Sequence, residues 1–396
     1  MKFSGLTLGV PREIMPQEAR VAALPETVRS MVGEGARVLV EAGAGVGCDV
    51  ADADYAAAGA AMVSDPAAIY AAADVILKVK EPQFNQAAGR HEVEMMHAGQ
   101  VLITFLHPAA PGNHAMIRKL AAQGVTALTL DGIPRISRAQ TMDALTSMST
   151  VAGYKSVLMA ANLLKSFVPL IGTAVGMMPP AQILVVGAGV AGLQAIATAK
   201  RLGGVVTASD IRPQALEQAG SLGAKVLDTG VPAQEATGAG GYARALSEAW
   251  LEREREALRP AVKAADIVIL AALIPGQVAP VLVDRAMVGA MRPGSVVVDI
   301  AVDQGGNCAC TQPGQTAVVD GVTLVGIKNI PGQIPRSSTW MFARNIYNLL
   351  AYLAADGALP LDGADEIVAS TLVTRGGEVV HAGALAAMAA KAEASR

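Results

Sequence analysis

Cysteine is scarce in this chain: Cys48, Cys308 and Cys310 are the only three in 396 residues. That is too few for a disulfide framework and fits a reducing compartment, so a cytoplasmic location is expected. Cys308 and Cys310 are spaced as metal ligands can be, but no second pair or nearby histidine completes a site, and no metal is expected. Charge is also low. Charged residues make up 16% of the chain and the net charge is −3, so no global field draws it to nucleic acid or to an anionic membrane. No signal peptide is read, because Met1-Lys2-Phe3-Ser4-Gly5 runs straight into a strand pattern. The stretch Ser166 to Ala199 carries no charge at all. Its length would suffice to span a bilayer. Pro169, Pro179, Pro180 and a glycine turn break it, so it reads as loop, buried strand and helix, and no membrane span is expected.

What the chain does have is apolar content, 52% of residues, and a length that predicts two or three domains with ample core. The first third alternates short apolar strands with alanine-rich helical segments. The strands read as Thr7–Val10, Arg37–Glu41, Val75–Val79, Val101–Phe105 and Ala127–Leu130. A second alternation starts at Ile183 and continues through Val205, Lys225–Leu227, Asp266–Ala271, Ser295–Ile300 and Thr323–Ile327. Such alternation predicts parallel sheets covered by helices. Helical patterns from about Ala144 to Lys165 and near Arg344–Leu353 flank the second unit. The fold expected is α/β, with two doubly wound, Rossmann-like domains, the second inserted in the first. The boundaries predicted are 1–142 plus 335–396 for the outer domain and 143–334 for the inserted one. A cleft between the two is expected to hold the chemistry.

The inserted unit opens on Ile183-Leu184-Val185-Val186-Gly187-Ala188-Gly189-Val190-Ala191-Gly192. An apolar strand runs into G-x-G-x-x-G, a helix follows from Leu193 to Leu202, and the strand after it ends in Asp210. Gly187 permits the tight turn, Gly189 lets the backbone approach a pyrophosphate, and Gly192 lets the helix pack on the strand. The helix N-terminus, at Val190 and Ala191, faces the phosphates. Asp210 stands 18 residues past Gly192, where a carboxylate can hold a ribose 2′-hydroxyl and repel a 2′-phosphate. NAD is therefore predicted, with NADP kept open by Arg212 two residues on. Ala272 and Leu273, after the strand Asp266–Ala271, are expected to border the dinucleotide, and the glycine-rich segment before Tyr242 to form a flap over it.

Four reactive residues follow predicted strands: Arg20, Lys80, His107 and Asp303. In parallel α/β sheets ligands bind at the carboxyl ends of strands. Arg20 and Lys80 can clamp a carboxylate and polarise a carbonyl or imine. His107 can move a proton near neutral pH, and Asp303 can orient the nicotinamide or a water.

The whole chain resembles the alanine dehydrogenase and transhydrogenase α-subunit family, and it does so in two ways. Pro134-Arg135-Ile136-Ser137-Arg138-Ala139-Gln140, the run from Gly189 to Gly203, and Gly241-Tyr242-Ala243 resemble the NAD-binding component of proton-translocating transhydrogenase. That resemblance implies that Arg135, Gln140 and Asp143 contact the nicotinamide and that the Tyr242 loop closes over NAD. Lys78-Val79-Lys80-Glu81-Pro82, Phe105-Leu106-His107, Val302 to Gly306 and Asn329 to Thr339 resemble alanine dehydrogenase. There, the positions matching Arg20 and Lys80 bind the substrate carboxylate and carbonyl, His107 matches the acid/base, and Asp303 a catalytic carboxylate. The function expected is hydride transfer between NAD and a small 2-amino or 2-oxo acid, with His107, Lys80 and Asp303 catalytic and the chain a homo-oligomer. The alternative is an NAD(H)-binding transhydrogenase subunit that passes hydride between NADH and NADP and docks on membrane partners.

Overall fold

The computed structural model describes residues 1–238, 243–274 and 278–394, and it divides into two units, Met1–Met148 with Gly332–Arg396, and Ser149–Pro331. The second unit is thus one continuous segment between the two stretches that make up the first.

The first unit is built on an eight-stranded sheet. Across it the strands run Glu378–Val379, Leu372–Arg375, Thr126–Thr129, Val101–Thr104, Val75–Leu77, Thr7–Val10, Arg37–Glu41 and Ala61–Val63. The six strands from the N-terminal stretch are parallel, and the two C-terminal ones add antiparallel at the edge. Thr7–Val10 pairs with Arg37–Glu41 on one side and Val75–Leu77 on the other, so the order reverses there. The loops leaving Thr7–Val10 and Val75–Leu77 therefore flank a switch point, where parallel sheets open a crevice. Arg20 and Lys80 lie in or just beyond those loops. Val75–Leu77 and Val101–Thr104 are buried at every position, as strands covered on both faces must be.

The second unit carries a seven-stranded sheet in the order Lys225–Leu227, Val205–Ser209, Gln182–Val186, Ile267–Leu270, Val296–Asp299, Val322–Val325, Thr316–Val319. Its first six strands are parallel and the last is antiparallel. Side chains alternate between two cores. Ile183, Val185, Ile267 and Ile269 pack with Ala195, Ile196 and Ala199 of the helix Val190–Arg201. Leu184, Val186, Val268 and Leu270 pack with Leu258 and Val262 of the helix Glu248–Ala264. Each buried leucine or valine there contributes about 1.5–3 kcal/mol. The switch point lies between Gln182–Val186 and Ile267–Leu270, directly above which stands the glycine turn.

Two elements differ from the sequence reading. The uncharged stretch includes an antiparallel hairpin, Ile171–Thr173 with Gly176–Met178, before its buried strand. Its residues are mostly exposed, so it shows no burial pattern to read. The helix begins at Val190, earlier than Leu193, because its first turn is the glycine fingerprint itself.

Candidate active site

The first unit gathers Arg20, Lys80 and His107 beside the switch point. Arg20 is 3% exposed. Its Nε and Nη2 donate to the two carboxylate oxygens of Glu18 at 2.8 and 2.6 Å, and Nη1 reaches the Met148 sulfur at 2.9 Å. Burial pushes Glu18 up, but Arg20 and Lys80 together hold it below the usual carboxylate range. The Nε–Nη2 edge of the guanidinium is therefore already paired with a carboxylate of the chain.

Beneath this pair lies a buried charge network that positions Lys80. Lys78, wholly buried, donates to Glu92 at 3.0 Å and to Glu13 at 3.4 Å. Tyr70 donates to the same Glu92 oxygen at 2.6 Å. Glu13 accepts the backbone N–H groups of Val79 and Lys80 at 2.6 and 3.3 Å, which fixes the loop after Val75–Leu77. Burial raises the Glu13 carboxyl to about 7 against the pull of Lys78. The Lys80 ammonium is half-buried, and its charge acts on both Glu18 and His107, so these three side chains share one field.

His107 sits in the left-handed region at φ +45°, stacked on Phe105 with ring centroids 5.7 Å apart. Asp131, just past the strand Thr126–Thr129, holds it from two sides. Asp131 accepts from His107 Nδ1 at 2.7 Å and from the His107 backbone N–H at 2.8 Å. Thr129 Oγ1 and the Leu106 N–H complete the carboxylate's partners. Burial lowers the imidazole's pKa, but the Asp131 carboxylate outweighs it and holds His107 above its ordinary value. The same pairing holds Asp131 far below the carboxylate range. The bond to Nδ1 leaves Nε2 as the atom that exchanges a proton. Asp303 belongs to the second unit, where its half-exposed side chain lies 4.0 Å from Lys328.

In the second unit the glycine turn has the geometry of a phosphate cradle. Gly187 adopts φ +91°, and a Cβ there would meet the Ala271–Ala272 backbone at 2.7 Å. A Cβ on Gly192 would overlap the Gly187 carbonyl oxygen. At Gly189 nothing but Arg212 Nη2, at 3.9 Å, approaches the Cβ position, so the backbone there is open to a ligand. The helix starting at Val190 and Ala191 aims its free N–H groups at that opening. Asp210 is 6% exposed and accepts the Ala188 N–H at 2.8 Å, tying the second strand to the turn. Ala272 is clamped by the buried Asn307, whose Oδ1 accepts its N–H at 3.0 Å and whose Nδ2 donates to its carbonyl at 2.8 Å. Leu273 follows, half-buried.

Of the residues tied to the nicotinamide by resemblance, Arg135 and Gln140 are exposed. Asp143 caps the helix Ala144–Leu163, accepting from the Thr146 N–H and hydroxyl at 2.8 and 2.6 Å. Tyr242 lies outside the described residues. Among the described residues no three His, Cys, Asp or Glu side chains gather as a metal site, and no helix is long and apolar enough to cross a membrane. The sequence reading missed Glu18, Asp131, Asn307, and the Lys78 network. Asp131 alone left a signal, as an acid closely following a strand; the others show their role only through what they touch.

Known proteins carry the same architecture. Family models described as alanine dehydrogenase/PNT, N-terminal domain, and alanine dehydrogenase/PNT, C-terminal domain, match residues 9–152 and 156–382. An NAD(P) transhydrogenase alpha subunit of Rhodospirillum rubrum is 42% identical over 379 residues, 95% of this chain and 98% of that protein. The alanine dehydrogenase of Halomonas elongata is 34% identical over 389 residues, covering 95% of each. Among solved structures, a transhydrogenase from Sinorhizobium meliloti matches with a TM-score of 0.80 at 39% identity, over 95% of this chain and 99% of that one. An L-alanine dehydrogenase matches with the same TM-score, 0.80, at 30% identity, over 97% and 99%. With both halves of the chain matched and the glycine cradle in place, the chain belongs to the alanine dehydrogenase/PNT family of NAD(P)-dependent oxidoreductases.

Proposed function

We propose that this chain is the NAD(H)-binding component of a transhydrogenase. It would pass hydride between its own nicotinamide and that of a second nucleotide-binding partner, docked on membrane subunits. The observation that carries this reading is Arg20. A substrate carboxylate needs a free two-pronged edge of the guanidinium, and here Glu18 takes the Nε–Nη2 edge while Nη1 faces the Met148 sulfur. Hydride exchange between two nicotinamides consumes no proton and needs no carboxylate clamp. The closer likeness to the Rhodospirillum rubrum subunit supports the same reading. Gly187, Gly189, Val190, Ala191 and Gly192 would cradle the pyrophosphate, and Asp210 would stand at the adenosine ribose, which favours NAD over NADP. Ala272, Leu273, Arg135, Gln140, Asp143 and Tyr242 would border the nicotinamide half. When bound, the nicotinamide supplies the hydride; the chain's residues hold it and exclude water.

A second reading rests on His107. Reductive amination of a 2-oxo acid takes up a proton and releases water, and the Asp131–His107 pair beside Lys80 is suited to supply that proton. One comparison separates the two. The purified chain is assayed for NADH oxidation with a panel of 2-oxo acids plus ammonium. In parallel it is assayed for NADH-to-NADP hydride exchange after mixing with membranes carrying transhydrogenase partner subunits. Exchange that requires the membranes, with no oxo-acid turnover, is expected. Turnover of an oxo acid by the chain alone, lost about 10²–10⁴-fold in His107→Ala, would establish the dehydrogenase reading instead.

A further inference from the structure

The fingerprint carboxylate is fully engaged. Asp210 Oδ1 accepts the backbone N–H and Nε of Arg212, both at 2.9 Å. Its Oδ2 accepts the Ala188 N–H and Arg212 Nη2, both at 2.8 Å. A carboxylate offers about four lone-pair sites, so none is left over for a ribose hydroxyl in this arrangement.

A second acid stands at the same end of the sheet. Glu254 lies on the helix Glu248–Ala264, whose buried stripe is Glu254, Leu258 and Val262. Leu258 and Val262 pack beside Leu184, Val186 and Leu270. The end of this helix is pinned at the foot of the sheet, where the Asp266 N–H donates to the Gln182 carbonyl. Glu254 is ten residues before Ala264, the last residue of the helix, a rise of roughly 15 Å. About five residues of strand from Gln182 cover roughly the same distance, which brings Glu254 level with Val186 and Gly187. Its neighbour Arg253 agrees with that height: Nη2 stands 3.1 Å from the Cβ position of Gly230, above the strand Lys225–Leu227.

Glu254 is 5% exposed, and among the described residues it accepts no hydrogen bond and forms no ion pair. Burial first, and then the charge of Asp210, raise its carboxyl to about 7, so the two acids share one field. A carboxyl on a buried apolar stripe is costly, and a leucine would extend the Leu258–Val262 stripe without that cost.

We propose that Glu254 is the open acceptor of the adenosine-ribose subsite and that, with Asp210, it makes the chain prefer a free 2′-hydroxyl to a 2′-phosphate. The inference rests on the dinucleotide reading above. A ribose hydroxyl donates to a carboxylate. A 2′-phosphate brings nearly two negative charges against two acids, with Arg212 already engaged by Asp210.

The test is calorimetric titration of the full chain, Glu254→Gln and Glu254→Leu with NADH and with NADPH, at about pH 8, above the Glu254 value. Glu254→Gln keeps size and an acceptor while removing charge. It should retain NADH affinity and reduce the NADH-over-NADPH preference about 10-fold. Glu254→Leu, checked for native circular dichroism, should bind NADH about 10-fold more weakly. Unchanged preference in Glu254→Gln, together with unchanged NADH affinity in Glu254→Leu, would overturn the role of Glu254 while leaving dinucleotide binding intact. Failure of the unaltered chain to bind either nucleotide would overturn both.

Discussion

His107 is held where few L-residues go. A left-handed φ of +45° costs of order 1–3 kcal/mol, and the two bonds from Asp131 offset it, one to the backbone N–H and one to the ring. The pairing also sets a pH window. His107 is raised above its ordinary value of 6.5, so its share of stability is fully present below 6.5 and lost as pH rises through the folded value. Asp131 is lowered from 3.8, so its share is present above 3.8 and lost as pH falls through the folded value. The pair thus stabilises most between about pH 4 and 6.5. Asp131→Asn should destabilise the protein by about 1–3 kcal/mol in that window and by less near pH 9, measured as the urea midpoint at each pH. An effect that grew toward pH 9 would contradict the assigned pairing. The same substitution should lower the His107 pKa, readable by NMR.

The glycine turn is a single element made of three contacts: Gly187 on the Ala271–Ala272 backbone, Gly192 on the Gly187 carbonyl, and the Ala188 N–H on Asp210. The two glycine contacts are with backbone, so no rotamer change relieves an added methyl. Gly192→Ala should lift the helix Val190–Arg201 off the strand Gln182–Val186. The expected result is a loss of about 1–3 kcal/mol of stability, with NADH affinity falling more than about tenfold. Gly189→Ala meets no such wall and should leave stability nearly unchanged while weakening nucleotide binding. Equal stability losses in the two variants would show that the turn is not packed as described. Nothing in the local spacing marks Asn307 as a member of this element, since it acts 35 residues away from Ala272 through its side-chain amide.

On the scale of the molecule, each unit has its own sheet, its own switch point and its own cluster of reactive groups. A ligand held by the glycine turn should therefore stabilise locally. Saturating NADH is expected to slow hydrogen exchange at 187–192 and 209–212, by up to about 2.7 kcal/mol at about 100 times Kd. The strands Val75–Leu77 and Val101–Thr104, buried within the first unit's sheet, should exchange as before. Uniform slowing across both sheets would refute a local site.

Alternation of short apolar strands and helices determined the α/β class, and the strand-turn-helix-strand-acid register determined the glycine turn and the carboxylate beside it. Both are local signals, carried by residues within one βαβ unit. Local spacing likewise put Arg20, Lys80 and His107 after strands. It could not tell whether each side chain is available. Glu18 pairing with one edge of Arg20, Asp131 fixing the His107 tautomer, Arg212 saturating Asp210 and Glu254 lying on the buried stripe of its helix all depend on which surfaces the sheets bring together. Charge availability is a property of neighbours in space, and a buried carboxylate's neighbours are set by strand order and helix length, which only the tertiary fold decides.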